Sequence, residues 1–347
     1  MKATKLFLIP ACLLLLLASI VVFGVEPPAT KYRLIKKITV GGEGGWDALT
    51  FDSATHRLYL SHATCVVVVD VESGKTVGEI PNTNGVHGIA LAPDLNRGFT
   101  SNGRDSTVTV FDMKTLQTLS QIKVGKNPDA IIYDPVTHRV FSFNGASSDA
   151  TVIDAQKGTV AGTIALNGKP EFAVSDGRGM VYVNIEDKSE VVALDARALT
   201  VKNRWPLAPG EEPSGIAMDR KNRRLFVACA NQKMIVVNAD NGHIIANLPI
   251  GKGVDGADFD PNTKLAFSSN GDGTLTVIHE DSPDKFSVVE NATTQRGART
   301  MALDEKTHDV FLVTAEFGPP PAPTSERPRP RPSIVPGTFS VLVMGTR

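Results

Sequence analysis

A ten-residue pattern that recurs seven times is the feature of this sequence that most constrains its fold. Three copies are nearly identical, namely DSATHRLYLS at 52–61, DPVTHRVFSF at 134–143 and DEKTHDVFLV at 304–313. Weaker copies, each with an aromatic residue seven places after the leading position, begin at residues 92, 175, 219 and 260. Successive copies start 40 to 44 residues apart, and a period in this range is typical of the blades of a β-propeller.

Each repeat contains four short runs of apolar and β-branched residues, separated by turn residues. In the first repeat these runs are WDALTF, RLYLS, CVVVVD and KTVGEI. The pattern predicts an all-β chain, a single seven-bladed β-propeller of four-stranded antiparallel blades over residues 31–347. The last repeat has only three runs. We therefore expect the N-terminal strand within KYRLIKKITVGG (31–42) to complete that blade and close the circle, leaving no open sheet edge.

Residues 1–24 have the composition of a targeting segment. The basic start MKATK precedes the apolar run LFLIPACLLLLLASIVVFG, which ends near small residues. This pattern predicts a cleaved signal peptide and a periplasmic or secreted protein. An uncleaved anchor is the alternative because the run is about as long as a membrane span, and we expect no other span.

Charge and cysteine content exclude some functions and favour others. Removal of Lys2 and Lys5 with residues 1–24 leaves 34 basic against 37 acidic residues, a net charge of −3. A nucleic-acid partner is not expected, because phosphate binding needs clustered Lys and Arg. Cys65 and Cys229 fall in blades 1 and 5, too far apart for a disulfide, and we expect a monomer.

The ends of the second strands carry a family resemblance. Three of them, FTSN, FSFN and FSSN, are an aromatic residue followed by small or apolar residues and Asn, and VVVVDVESGKT and VTVFDMKTLQT are similar in form to a third strand with its turn. These motifs resemble the Tyr-Val-Thr-Asn (YVTN) repeat propellers, in particular the YncE-like bacterial exported propellers of the quinoprotein amine dehydrogenase β-chain-like superfamily. The resemblance covers residues 31–345 and implies the fold but no particular reaction.

Two cofactors can be set aside on motifs. Pyrroloquinoline-quinone dehydrogenases resemble this superfamily but repeat a Trp-bearing blade motif, whereas this chain has only Trp46 and Trp205. No C-x-x-C-H haem attachment motif occurs either. The cofactor is therefore open, with a divalent metal as one candidate.

Strand direction predicts which residues surround the mouth of the central channel. The start of each first strand and the end of each second strand lie on the same face of the disk, here called the mouth face. The first-strand residues, here called the mouth ring, are Asp47, His87, Asp129, Glu171, Ser214, Asp255 and Arg299. The second strands end at His62, Asn102, Asn144, Asn184, Cys229, Asn270 and Thr314.

These positions predict a small-molecule or protein ligand at the mouth face. The predicted ligand-binding residues are Asp47, His87, Asp129, Glu171, Asp255, Arg299, Asn102, Asn144 and Asn270. For the three Asn-Gly pairs, turn formation is the alternative, and polar residues at a wet channel mouth need no ligand to explain them.

Two metal sites are candidates. Asp129, Glu171 and Asp255 offer hard oxygen ligands, whereas His62, Cys65 and His87, with Asp47 beside them, would suit a softer metal. Packing is the alternative for Cys65. By contrast, His56, His138 and His308 recur at equivalent places on the opposite face, which favours a structural role.

An enzyme is the alternative to a binding protein. Seven-bladed lactonases and related cyclases are similar in length and repeat, and this resemblance implies catalysis at the channel by His, Glu and Arg. The candidates of those types are His87, Glu171 and Arg299. Such a site would perform hydrolase or lyase chemistry, with a general base and an oxyanion-stabilising Arg, but no local motif assigns the roles one to one.

A proline-rich segment interrupts blade 7. Residues 316–337, EFGPPPAPTSERPRPRPSIVPG, contain a loop at 318–336 in which Arg327, Arg329 and Arg331 alternate with proline. The segment rises from the mouth face, so it is either a lid or arm paired with the carboxylates or a flexible ligand for a partner protein. A disordered insertion is the third alternative.

Overall fold

The computed structural model describes residues 31–322 and 332–347. The predicted fold is confirmed: the chain is a seven-bladed β-propeller of four-stranded antiparallel sheets. The strands of blades 1 to 3 are β2 (Trp46–Asp52), β3 (Arg57–His62), β4 (Cys65–Asp70) and β5 (Lys75–Ile80); β6 (Val86–Ala92), β7 (Arg97–Asn102), β8 (Thr107–Asp112) and β9 (Thr118–Lys123); and β10 (Pro128–Asp134), β11 (Arg139–Asn144), β12 (Asp149–Asp154) and β13 (Thr159–Ala165).

Blades 4 to 6 repeat the same order of four consecutive strands. Their strands are β14 (Pro170–Ser175), β15 (Met180–Ile185), β16 (Glu190–Asp195) and β17 (Thr200–Pro206); β18 (Pro213–Asp219), β19 (Arg224–Cys229), β20 (Lys233–Asn238) and β21 (Ile244–Pro249); and β22 (Val254–Asp260), β23 (Leu265–Asn270), β24 (Thr274–Ser282) and β25 (Lys285–Thr293). Two 3-10 turns, Pro93–Leu95 and Glu186–Lys188, are the only helical segments among the described residues.

Blade 7 is completed from the N-terminal end of the chain. Its inner three strands are β26 (Met301–Asp304), β27 (Asp309–Thr314) and β28 (Ser340–Gly345), and its outer strand is β1 (Arg33–Thr39). Thr39 pairs with Ser340, and Arg33 pairs with Gly345. Strand β1 thus covers the edge of β28, and β2 of blade 1 contacts β26 of blade 7, which closes the circle of blades.

The core consists of seven apolar clusters, one at each interface between neighbouring blades. Between blades 3 and 4, for example, Phe141 and Phe143 pack with Val181 and Val183. The aromatic position of the repeat is buried in every blade, at Tyr59, Phe99, Phe141, Tyr182, Phe226, Phe267 and Phe311. Burying one such side chain contributes on the order of 2 kcal/mol, so the repeat recurs because each blade presents the same face to its neighbour.

The opening of the ten-residue pattern forms the turn between the first and second strands. In the first copy, the Asp52 carboxylate accepts hydrogen bonds from the Ala54 backbone N–H at 3.0 Å and from the Thr55 hydroxyl at 2.6 Å. His56 then takes a positive φ of 55°, and His138 and His308 do the same at 51° and 64°. The recurring Asp and Thr therefore cap the turn, and the recurring His occupies its left-handed position.

Candidate functional site

Backbone bulges place six of the seven mouth-ring residues. In blades 1 to 6, the pairing of the first strand with the second shifts register just after the first paired residue. In blade 1 the shift falls between Trp46 and Leu49, so Asp47 has no partner opposite it in β3. Bulges redirect side chains and often occur next to functional sites. The same irregularity, repeated six times, presents these polar residues at the channel mouth.

His87 joins three consecutive blades at the mouth. Its Nδ1 lies 2.6 Å from Oδ2 of Asp47 on blade 1 and 3.7 Å from Oδ1 of Asp129 on blade 3. The hydrogen bond to Asp47 raises the pKa of His87, and burial opposes that rise. Burial raises the pKa of Asp129 to about 6, although the nearby His87 lowers it.

Blade 4 contributes a second charged group. Lys169 Nζ lies 2.8 Å from Oε1 of Glu171, and it also pairs with Glu186. Burial, followed by repulsion from Asp129, raises the pKa of Glu171 to about 8, even though Lys169 lowers it. Repulsion between carboxyl groups therefore acts across neighbouring blades at the mouth.

A third group connects blades 5, 6 and 7. Oδ1 of Asp255 accepts a hydrogen bond from the Ser214 hydroxyl at 2.5 Å, and Oδ2 lies 3.3 Å from Nε of Arg299. Burial raises the pKa of Asp255, and Arg299 opposes this rise. The mouth therefore carries more carboxyl groups than cationic side chains, and all of its ring carboxyl groups lie in partly dehydrated surroundings.

One subset of the mouth ring has the spacing of a metal site. The ligand atoms of Asp47, His87 and Asp129 all lie within 4.8 Å of one another. Among the residues of 31–322 and 332–347, no other trio of His, Cys, Asp or Glu side chains does so. Two carboxylates and an imidazole suit a divalent cation, with the imidazole favouring a first-row transition metal. This trio takes Asp129 from the first of the two metal sites that the sequence predicts. From the second it takes His87, together with Asp47, which the sequence places beside that site.

The remaining residues of the softer predicted site lie deeper in the blade. The His62 ring stacks on Phe339 with 4.6 Å between ring centroids, and burial lowers its pKa. The Cys65 thiol contacts the backbone carbonyl of His62 at 3.5 Å, and burial raises its pKa. Cys65 and Cys229 are both free thiols.

The asparagines at the second-strand ends are buried rather than displayed. Asn102, Asn144 and Asn270 have no exposed surface. Asn102 donates to the hydroxyls of Thr107 and Thr109 at 3.0 and 2.8 Å, and the other two asparagines make equivalent bonds within their own blades. Their amide groups are therefore used inside the blade, so we leave them out of the proposed site.

The three catalytic candidates sit in three different charged groups. His87 pairs with Asp47, Glu171 with Lys169, and Arg299 with Asp255. They come from blades 2, 4 and 7, on different sides of the mouth. Arg327, Arg329 and Arg331 of the proline-rich loop lie outside the described residues, as does the N-terminal segment 1–24. In the described part of the chain, no helix has the length and apolar character needed to cross a membrane.

The channel beneath the ring encloses about 330 Å³ and is lined mainly by small and apolar residues of the inner strands. Asp258 is the carboxylate in this lining; burial raises its pKa to about 6. Asp258, Lys169 and Glu186 are functional-site residues that the sequence did not indicate. Asp258 lies three residues after the mouth-ring residue Asp255, at a position that is Thr50 in blade 1 and apolar in the other five blades. This departure from the repeat is the signal that could have revealed it.

Comparisons with known proteins bear on the fold. The sequence matches no protein-family profile and no curated protein. Among solved structures, the chain is similar to Kuenenia stuttgartiensis hydrazine synthase, with 15% identity, a TM-score of 0.69, and coverage of 77% of this chain and 92% of that one. It is also similar to the RRP9 WD40 repeats, with 10% identity, a TM-score of 0.74, and coverage of 92% and 100%.

These similarities define the class of protein and go no further. At such low identity they show the propeller fold alone, a scaffold that many proteins use to bind partners. The YVTN-repeat resemblance is not supported by a family match.

Proposed function

We propose that this chain is an exported binding protein of the YncE-like kind whose mouth ring binds a divalent cation. The cation, held by Asp47, His87 and Asp129, would in turn bind a ligand or protein partner. The observation that carries the proposal is the convergence of these three side chains from three blades within 4.8 Å. Three protein ligands leave coordination positions open for an outside group.

The excess of carboxyl groups at the mouth favours binding of a cation. Burial, and after it repulsion from other carboxylates of the mouth, raises the pKa of Asp129 and of Glu171, so their negative charges lack full compensation when they are ionised. A divalent cation would supply it. Zn²⁺ is the first probe, because an imidazole is among the ligands, and Ca²⁺ and Mg²⁺ are the comparison.

Calorimetric titration of the mature chain, residues 25–347, with ZnCl2, CaCl2 and MgCl2 tests the proposal. We expect saturable binding of one ion, lost in Asp129→Asn and retained in Glu72→Gln. Glu72 is a matched control because it lies on the opposite face with a side chain 71% exposed, and its substitution also removes one negative charge. Equal titration of all three proteins would contradict the proposal.

Export is tested separately, by cell fractionation of the full chain and of a chain lacking residues 1–24. We expect the full chain outside the cytoplasm and the shortened chain inside it.

No observation favours the lactonase alternative, since its candidate residues His87, Glu171 and Arg299 belong to separate charged groups.

A further inference from the structure

A second cavity opens on the mouth face, to one side of the channel. It encloses about 840 Å³, within the range of pockets that hold small ligands. Loops of blades 6, 7 and 1 form it, and Arg299 is the mouth-ring residue that it includes. We call it the side cleft. Its described lining is Gly45, Trp46, Lys252, Gly253, Gly271, Asp272, Arg296, Gly297, Arg299, Phe317, Pro332 and Ile334.

Glycine backbone makes up one part of the side cleft. The Gly271 N–H donates to the Gly253 carbonyl, and the Gly297 N–H donates to the Gly271 carbonyl, both at 2.9 Å. A Cβ on Gly297 would meet the Phe317 ring at 2.7 Å, and the φ of +84° at Gly297 also disfavours a side chain. The missing side chain at Gly297 thus makes room for the Phe317 ring. At Gly45, by contrast, nothing lies within 4 Å of the Cβ position, so a flat molecule can approach the backbone there.

Aromatic rings form a second part. The rings of Trp46 and Phe317 lie 6.1 Å apart at 45°, and Trp46 stacks on Phe339 at 5.2 Å. Trp46 and Phe317 are only partly buried. Partly exposed rings beside a glycine surface favour a planar apolar group, since offset stacking and edge contacts add to the burial of apolar area.

The charged residues of the side cleft have the opposite sign to the rest of the mouth. Lys252, Arg296 and Arg299 are cationic, and Asp272 is the one carboxylate among the described lining residues. Asp272 already accepts hydrogen bonds from the Lys252 backbone N–H and from the Thr274 hydroxyl. Among the described residues, neither Lys252 nor Arg296 pairs with a carboxylate through its side chain. The excess positive charge favours an anionic group.

We propose that the side cleft binds a planar aromatic compound that carries an anionic group, such as an aryl phosphate. The aromatic part lies against Trp46 and Phe317, and the anion faces Lys252 and Arg296. This site is separate from the proposed cation site, and its occupant has the opposite charge.

Calorimetry on the mature chain with phenyl phosphate tests the inference. Inorganic phosphate, which has only the anionic group, and phenol, which has only the aromatic group, are the comparison compounds. We expect phenyl phosphate to bind about tenfold more tightly than inorganic phosphate, from its added aromatic contacts. The Phe317→Leu variant should lose that preference while binding inorganic phosphate as before.

Charge variants separate the side cleft from the mouth ring. The double variant Lys252→Gln and Arg296→Gln should bind phenyl phosphate at least about tenfold more weakly, because hydrogen bonds to charged groups are lost. Lys114→Gln, an exposed lysine on the opposite face, and Asp129→Asn should bind it like the parent. Equal affinity for phenyl phosphate and inorganic phosphate, unchanged binding by the double variant, or no binding to the parent would overturn the inference.

Discussion

Nδ1 of His87 lies 2.6 Å from Asp47 and 3.7 Å from Asp129, so one imidazole connects the first strands of three consecutive blades. Each of the three side chains sits on the bulge of its own first strand. The arrangement therefore depends on the packing of three neighbouring blades rather than on any local sequence motif.

Cation binding at this trio should depend on pH. A metal binds the deprotonated forms of its ligands and competes with protons. The pKa of Asp129 is raised to about 6, and the pKa of His87 is raised above its ordinary value. We expect Zn²⁺ affinity to fall steadily as the pH is lowered from about 7.5 to 5. Calorimetry across this pH range measures the change in affinity. An affinity that does not depend on pH would argue against these three residues as the metal ligands.

The stability of the fold should also depend on the mouth carboxyl groups. The pKa of Asp129 rises from 3.8 to about 6 and that of Glu171 from 4.5 to about 8 on folding. A raised carboxyl pKa means that the folded state prefers the protonated form. This contribution to stability is fully present below about pH 4 and is lost as the pH rises through 6 and then 8.

The corresponding variants should remove that dependence. Asp129→Asn and Glu171→Gln should each increase the free energy of unfolding at pH 8 by about 1–3 kcal/mol and flatten its fall between pH 4 and 8. Urea denaturation of metal-free protein at several pH values measures both effects. Variants that are less stable than the parent at pH 8 would show that the ionised carboxylates are well compensated.

The buried asparagines should matter for stability and leave cation binding intact. Asn102→Ala leaves the hydroxyls of Thr107 and Thr109 without their partner, which we expect to cost about 1–3 kcal/mol. Asn203→Ala, on the exposed face of the outer strand β17, is the control and should change stability by less than about 0.5 kcal/mol. Loss of Zn²⁺ binding in a folded Asn102→Ala protein would show that Asn102 does contribute to the binding site.

The sequence predicted the blades well and the site only in part. The blades could be predicted because the sequence repeats: every blade interface needs the same buried aromatic residue. The turn between the first two strands likewise needs Asp and Thr in the same places, as at Asp52 and Thr55. The mouth-ring positions also followed from strand direction. The bulges could not be foreseen, because they depend on pairing between strands. For the same reason, the sequence did not show that Asn102 turns into its blade or that Lys169 binds Glu171.

Closure by the N-terminal strand can be tested within that strand. Ile38 of β1 is 3% exposed and packs in the cluster between blades 7 and 1, whereas Leu34 of the same strand is 51% exposed. We expect Ile38→Ala to destabilise the protein by about 2–4 kcal/mol and Leu34→Ala by less than about 0.5 kcal/mol. Thermal and urea unfolding measure the difference, and equal effects would mean that β1 does not hold the last blade.

The most direct measurement is the metal content of the mature protein, by elemental mass spectrometry after purification without chelators or metal-affinity resin, dialysis against ZnCl2 and removal of free ions. The account predicts close to one Zn²⁺ per chain in the parent and in Glu72→Gln, and little in Asp129→Asn. A parent that retains no metal, or an Asp129→Asn variant that retains as much as the parent, would contradict the proposal that the mouth ring is a cation site.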